Sequence, residues 1–213
     1  MLLIGMLDSP FVRRVAVSMR LLDIGYEHAN WSVGKDFDRI RAYNPLGRVP
    51  TLVLDDGAVV SESAVILDYL DERVGAARAL LPAAGPARRE ALKQMAMAIG
   101  AAEKGRDQIY EQAFRPPDKR HGPWLERCRT QMHGGLAELE RYCVQRGAQP
   151  WLIGDKLSQA DITVTCALTF LRESLRPLDL STPYPRLTAL VDRCETGAAF
   201  KSAYLPFFAP GGP

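Results

Sequence analysis

The feature that most narrows the possible fold is a proline standing directly before a short β-rich run, within residues 44–70. Residues 51–54 (Thr-Leu-Val-Leu) read as a strand, Asp55-Asp56-Gly57 as a tight turn and residues 58–60 as a second strand, which together predict a hairpin. Ser61-Glu62-Ser63 then opens a helix, with Val65, Ile66, Tyr69 and Leu70 at helical spacing. Pro50 has no N–H to give a neighbouring strand and would disturb pairing unless it occupies a special turn. A cis Val49-Pro50 peptide fits, because it turns the N–H and C=O of Val49 outward, free to pair with an extended peptide. At the mouth of the following helix, the Ser63 N–H and hydroxyl could hold a carboxylate while Glu62 takes an ammonium. The α-amino and α-carboxyl groups of one amino acid would satisfy both. Taken singly, Glu62-Ser63 reads first as an ordinary helix cap; joined to Val49-Pro50 at this spacing, the ligand reading becomes the stronger.

The flanking chain supplies the rest of an α/β unit. Residues 2–7 form an apolar run suited to a strand buried on both faces. Asp8-Ser9-Pro10 stops that run, and Pro10 suits the first turn of a helix that continues to Leu22. Asp23-Ile24-Gly25 ends the helix, residues 26–33 read as a second strand of imperfect alternation, and residues 35–43 as a weak polar helix. Strand, helix, strand, helix, hairpin, helix is the order of a thioredoxin-like domain, with its first two strands side by side and parallel. This predicts an α/β domain over residues 1–76 and an Ala-, Gly- and Pro-rich linker at 77–86. An all-α helical domain over 87–213 completes the chain, with helices expected at 88–113, 124–146, 162–175, 186–194 and 196–203. Ser158-Gln159-Ala160-Asp161 has the form of a capping box ahead of a helix apolar on almost every side, the mark of a central core helix. The loop at 150–154 is expected to bury Trp151. The tail at 206–213 reads as irregular, its Phe207 and Phe208 either packing or lining a site.

Charge and composition exclude several classes. With 27 basic and 25 acidic residues interleaved along the chain, nothing calls for nucleic acid or an anionic membrane. The cysteines, Cys128, Cys143, Cys166 and Cys194, contain no Cys-x-x-Cys pair, and His28, His121 and His133 are scattered, so no metal-ligand spacing is present. Free thiols in a reducing compartment are the expectation. The apolar N-terminus is too short for a signal peptide and lacks a basic lead, which points to the cytoplasm.

Val-Pro-Thr-Leu at 49–52, followed by Glu62-Ser63 at the start of a helix, resembles the glutathione-binding signature of the glutathione transferase family, and the resemblance extends over nearly the whole chain. It implies the glutathione transferase fold, glutathione as co-substrate with no metal, a small apolar electrophile as second substrate and a homodimer. It further implies that Val49, before Pro50, binds the cysteinyl part of glutathione through its backbone, and that Glu62 and Ser63 bind the γ-glutamyl end. Gly154, Ser158 and Asp161 match the family's buried capping box, whose role is in folding.

The chemistry requires a thiolate from a thiol of reference pKa about 8.5, and a shift of about two units corresponds to about 2.7 kcal/mol of selective stabilisation. A hydroxyl donating to sulfur at a helix N-terminus is a suitable source. Ser9 holds that position, and Ser9-Pro10-Phe11-Val12-Arg13 resembles the pattern of the bacterial and zeta-like members, which use a serine there. The alternative is that Ser9 merely caps the first helix. No Cys stands at position 9, which argues against the omega and beta-like thiol-transfer branch, and Tyr is also absent there, the nearest being Tyr26. For the glycine carboxylate of glutathione the candidates are Arg48, preferred for its place beside Val49, and Lys35; each reads equally as a solvated surface charge. For the electrophile site the candidates are Phe11 as a wall, with Lys104, Gln108 and Phe114 from the first long helix. The same thiolate could also serve isomerisation, dehalogenation or peroxide reduction, and the fold is also used for non-catalytic interaction modules.

Overall fold

A computed structural model describes residues 1–208; the end of the expected irregular tail, 209–213, lies outside the described residues. The N-terminal part is a four-stranded sheet of order β2-β1-β3-β4, built from β1 (Leu2–Ile4), β2 (Glu27–Ala29), β3 (Thr51–Val53) and β4 (Val59–Ser61). β1 runs parallel to β2 and antiparallel to β3, and the β3–β4 hairpin pairs Thr51 with Ser61. The apolar β1 and β3 take the centre, with Leu3, Ile4 and Leu52 fully buried. α1 (Pro10–Leu21) crosses between β1 and β2, and α2 (Phe37–Arg41) and α3 (Ser63–Val74) complete this layer. The hairpin closes through the Leu54 N–H to Ala58 C=O bond at 2.8 Å, while Asp56 accepts the Ala58 N–H at 2.9 Å, the Asx turn its sequence invites.

The second strand is shorter than its pattern suggested. Its edge position leaves Glu27 and His28 exposed, and a Trp31 N–H to Ala29 C=O bond at 2.8 Å curls the chain away directly after it. The connection after α3 is tied down: the Asp71 carboxylate accepts the N–H groups of Leu80 and Leu81 at 2.9 and 3.1 Å, and Leu81 is buried.

The remaining elements are helical: α4 (Gly85–Ala113), α5 (Gly122–Gln145), α6 (Gln159–Ser174), α7 (Pro185–Glu195) and α8 (Ala198–Ser202). α6 is the centre, buried without a break from Gln159 to Leu171. Its capping box forms: Asp161 accepts from the Ser158 N–H at 2.9 Å and the Ser158 hydroxyl at 2.7 Å, and its other oxygen accepts the Leu152 N–H at 2.9 Å. That last bond seats Leu152 in the core, whereas Trp151 is only half-buried, with the Arg193 guanidinium over its ring. The loop therefore buries its leucine where the sequence suggested its tryptophan. α4 lies so close to α6 that a β-carbon on Gly105 would stand 2.2 Å from a Leu171 methyl group.

α1 joins the two parts by burying two arginines. Arg13, 3 % exposed, forms a two-pronged ion pair with Glu195, both contacts at 2.7 Å, and donates to the carbonyls of Phe200 and Ala203. Arg14 is equally buried, donating to Ser63 Oγ at 2.7 Å and Thr163 Oγ1 at 3.4 Å.

Candidate active site

β1 is followed by Gly5, whose φ of +130° and close neighbours leave no room for a side chain: a β-carbon there would stand 2.6 Å from Val12 and 2.7 Å from Val49. This close approach sets Val49 against the end of β1. The chain then turns into α1, with Ser9 as its N-cap in an extended conformation. The Ser9 carbonyl accepts the Arg13 N–H at 2.9 Å, yet its hydroxyl makes no capping bond. Pro10 has no N–H, and the N–H groups of Phe11 and Val12 have no partner among the described residues. An uncommitted hydroxyl thus stands beside open donors at the positive end of a twelve-residue helix.

Ser9 lines a cleft of about 590 Å³. Arg48 and Val49 contribute from the loop before β3, Phe11 from α1, Arg106 and Tyr110 from α4, and Phe114, Phe170 and Phe207 add apolar surface. Asn44 holds the loop. It is 3 % exposed, donates to the Arg48 carbonyl at 2.9 Å and Thr51 Oγ1 at 3.2 Å, and accepts the Leu46 N–H at 3.1 Å. The Val49-Pro50 peptide is cis, and the N–H and C=O of Val49 have no partner among the described residues.

Glu62 and Ser63 lie beside this cleft and not in its lining; the Thr51–Ser61 pairing of the hairpin sets them next to Val49-Pro50. Glu62 is the N-cap of α3 at φ +70°, ψ +124°, an unusual conformation for a residue with a side chain. Its carboxylate meets Arg48 at 3.1 Å, both groups about half exposed. Ser63 is buried and its oxygen accepts from Arg14. Burial lowers the Arg14 guanidinium to about 10, and its Nε has no hydrogen-bond partner, so a positive charge lies beneath the N-terminus of α3.

The other expected residues fall in different places. Lys35 sits outside the lining, its ammonium 5.1 Å from the centre of the Phe208 ring, which does line the cleft. Phe11 and Phe114 are in the walls. Lys104 and Gln108 are not: Lys104 lies over the Trp124 ring of α5 and pairs with Asp107 at 3.0 Å, and Gln108 is buried against Met132 of α5. The face of α4 turned to the cleft carries Glu103, Arg106, Asp107 and Tyr110 instead. An amphipathic pattern gives a helix two plausible faces, and only the packed α5 decides between them.

The local electrostatics separate two carboxyls of the cleft. Burial raises Asp107, but hydrogen bonds from Lys104 and Arg106, each at 3.0 Å, outweigh it and hold the carboxyl below its usual range. Burial raises Asp8, the residue before Ser9, and the Phe208, Ser9 and Asp8 N–H groups offset this only in part. Burial likewise raises the Tyr110 phenol. Burial raises all four thiols, Cys166 up to about 12, Cys143 and Cys194 to about 11, and Cys128 in the same direction. Among the described residues no group of three or more His, Cys, Asp or Glu could hold a metal ion, and no helix is long and apolar enough to cross a membrane.

A thioredoxin-like sheet bearing a cis-proline loop is joined to a helical bundle across a cleft lined by the N-cap residue of α1, which defines a two-part α/β and all-α class of protein. Family models for the glutathione S-transferase N-terminal and C-terminal domains match residues 3–78 and 122–193. The chain belongs to the glutathione S-transferase family. It is 28 % identical over 200 residues to the uncharacterized GST-like protein YibF of Escherichia coli (strain K12), covering 94 % of this chain and 96 % of that one. A glutathione S-transferase from Methylobacterium radiotolerans, solved in complex with glutathione sulfonate, superposes with a TM-score of 0.89 at 27 % identity, covering 97 % and 96 % of the two chains. Another from Methylobacillus flagellatus, solved with glutathione bound, gives 0.87 at 26 % identity over 95 % and 98 %.

Proposed function

We propose that the chain is a glutathione transferase that binds glutathione across the Val49 loop and the N-termini of α1 and α3, and adds its sulfur to a small apolar electrophile. The observation that carries this reading is the uncommitted Ser9 hydroxyl at the open end of α1, in the same cleft as the unpaired backbone of Val49. Val49 N–H and C=O pair with the cysteinyl backbone, Glu62 takes the γ-glutamyl ammonium, and Ser63, with Arg14 behind it, takes the γ-glutamyl carboxylate. Arg48 leaves its pair with Glu62 and takes the glycine carboxylate, supported by its place in the lining where Lys35 stands outside it.

The energetics suffice. A charge-assisted hydrogen bond from Ser9 contributes about 1.5–3 kcal/mol, and the α1 terminus roughly 0.3–1 kcal/mol. Together they reach the roughly 2.7 kcal/mol that a two-unit fall of the thiol pKa requires. The aromatic surface of Phe11, Phe114, Phe170 and Phe207 suits an apolar acceptor. In this reading residues 77–86 link a glutathione-binding part to a part that supplies the electrophile wall. The protein works in the cytoplasm in detoxification, as a homodimer through α3 and the helical part, where Val65, Leu92 and Met97 are exposed apolar side chains. The test is a calorimetric titration with glutathione. Saturable binding with one site per chain is expected, and no binding heat at millimolar ligand would end the proposal.

A further inference from the structure

Three carboxyls line the cleft, those of Asp8, Glu103 and Asp107. Two cations hold Asp107, whereas Asp8 has no ion-pair partner among the described residues. One Asp8 oxygen accepts the Phe208 N–H at 3.1 Å, and Asp8 shares the cleft lining with Ser9, the next residue in the chain. The groups facing the Asp8 carboxyl leave it short of positive charge. The Glu173 carboxylate of α6 acts on it as a like charge, the Tyr110 phenol of α4 lines the same cleft, and Arg48, also in the lining, is paired with Glu62. Arg106 of α4 is committed to Asp107, and Lys35 lies over the Phe208 ring. Burial and a like charge both favour the protonated carboxyl, and a thiolate held at Ser9 would add a second like charge beside it. Two carboxyls driven apart in this way within one cleft are the usual arrangement for proton transfer.

We propose that Asp8 is the proton-transfer group of the reaction, accepting the proton that the glutathione thiol releases and, where the acceptor is an α,β-unsaturated carbonyl compound, delivering it to the acceptor carbon. The proposal rests on the glutathione-transfer reading above. Sulfur forms a bond to the β-carbon, and the C=C π pair moves onto the α-carbon and carbonyl oxygen as an enolate. The Asp8 O–H bond then breaks and its proton goes to the α-carbon, leaving a carboxylate that the next thiol reprotonates. Proton and charge balance over the cycle with no other reactant. An aryl chloride expels chloride instead and needs no proton delivered to carbon, so the two acceptor classes separate the role of Asp8 from general support of the cleft.

The test compares wild type and Asp8→Asn with benzylideneacetone and with chlorodinitrobenzene. Asparagine keeps size and an oxygen for the Phe208 N–H but has no acid proton. General acid–base assistance is typically worth about 10²–10⁴-fold, so the ratio of enone to aryl chloride turnover should fall by at least about tenfold in the variant. An unchanged ratio, whether both rates fall together or neither moves, would overturn the proposal. Wild type that turns over the chloride but not the enone would overturn it too while leaving glutathione transfer intact; wild type that binds no glutathione would end both.

Discussion

Glu62→Gly should make the protein more stable and a poorer binder at once. Glu62 holds a positive-φ conformation that costs a side-chain-bearing residue about 1–3 kcal/mol. Glycine removes that strain but adds roughly 0.5–1 kcal/mol of backbone entropy to the folding cost. The pair with Arg48, both partners about half exposed, contributes at most about 1 kcal/mol. The balance is a gain of about 1 kcal/mol or slightly less, a rise in melting temperature of roughly 2–4 °C for a chain of this size. The same substitution deletes the carboxylate assigned to the γ-glutamyl ammonium. A charge-assisted bond of about 1.5–3 kcal/mol corresponds to a roughly 10- to 100-fold loss of glutathione affinity at 1.4 kcal/mol per decade. Thermal melts of the ligand-free protein and calorimetry with glutathione read the two effects separately. A lower melting temperature would refute the strain argument, and unchanged affinity would refute the role given to Glu62.

Other consequences follow from the packing around the cleft. Glu195→Ala leaves the Arg13 guanidinium buried without its partner and should destabilise the protein by about 3–5 kcal/mol, read as a fall in the urea midpoint. Gly5→Ala forces a β-carbon into Val12 and Val49 at a positive φ; overpacking alone costs about 1–3 kcal/mol, and glutathione affinity should fall with stability as Val49 is displaced. Burial raises the Asp161 carboxyl above its ordinary 3.8, so its folded form binds the proton first. Its protonation-linked stability is therefore full below the unfolded value and is lost as pH rises through the folded one. The stability of wild type relative to Asp161→Asn should accordingly fall from acid to neutral pH in urea melts.

Local chemistry made much of this molecule readable in advance. Pro50 before a strand, Asp56-Gly57 in a hairpin, Pro10 at a helix start and Ser158 with Asp161 each act within a few residues, so their consequences show in the sequence order itself. The parts that stayed hidden depend on contacts between distant elements. Trp151 and Leu152 compete for one core position, and the Asp161 bond to the Leu152 N–H settles it from nine residues away. Lys104 and Gln108 share a helix with Arg106 and Tyr110, and only α5 determines which pair turns inward. Asn44 had a visible signal, an asparagine before Pro45 in a turn, but its three bonds to the Val49 loop follow from its burial. Asp8 had none, because its setting arises when Phe208, two hundred residues later, returns to the entrance of α1.

In the proposed reaction the Ser9 hydroxyl keeps a bound sulfur negative. This is tested most directly by titrating the thiolate absorbance of glutathione bound to wild type and to Ser9→Ala. Ionisation of the bound thiol is expected below its free value of about 8.5 in wild type and at least about one unit higher in the variant, a difference of about 1.4 kcal/mol. Superimposable titration curves from the two proteins, each saturated with glutathione, would contradict it.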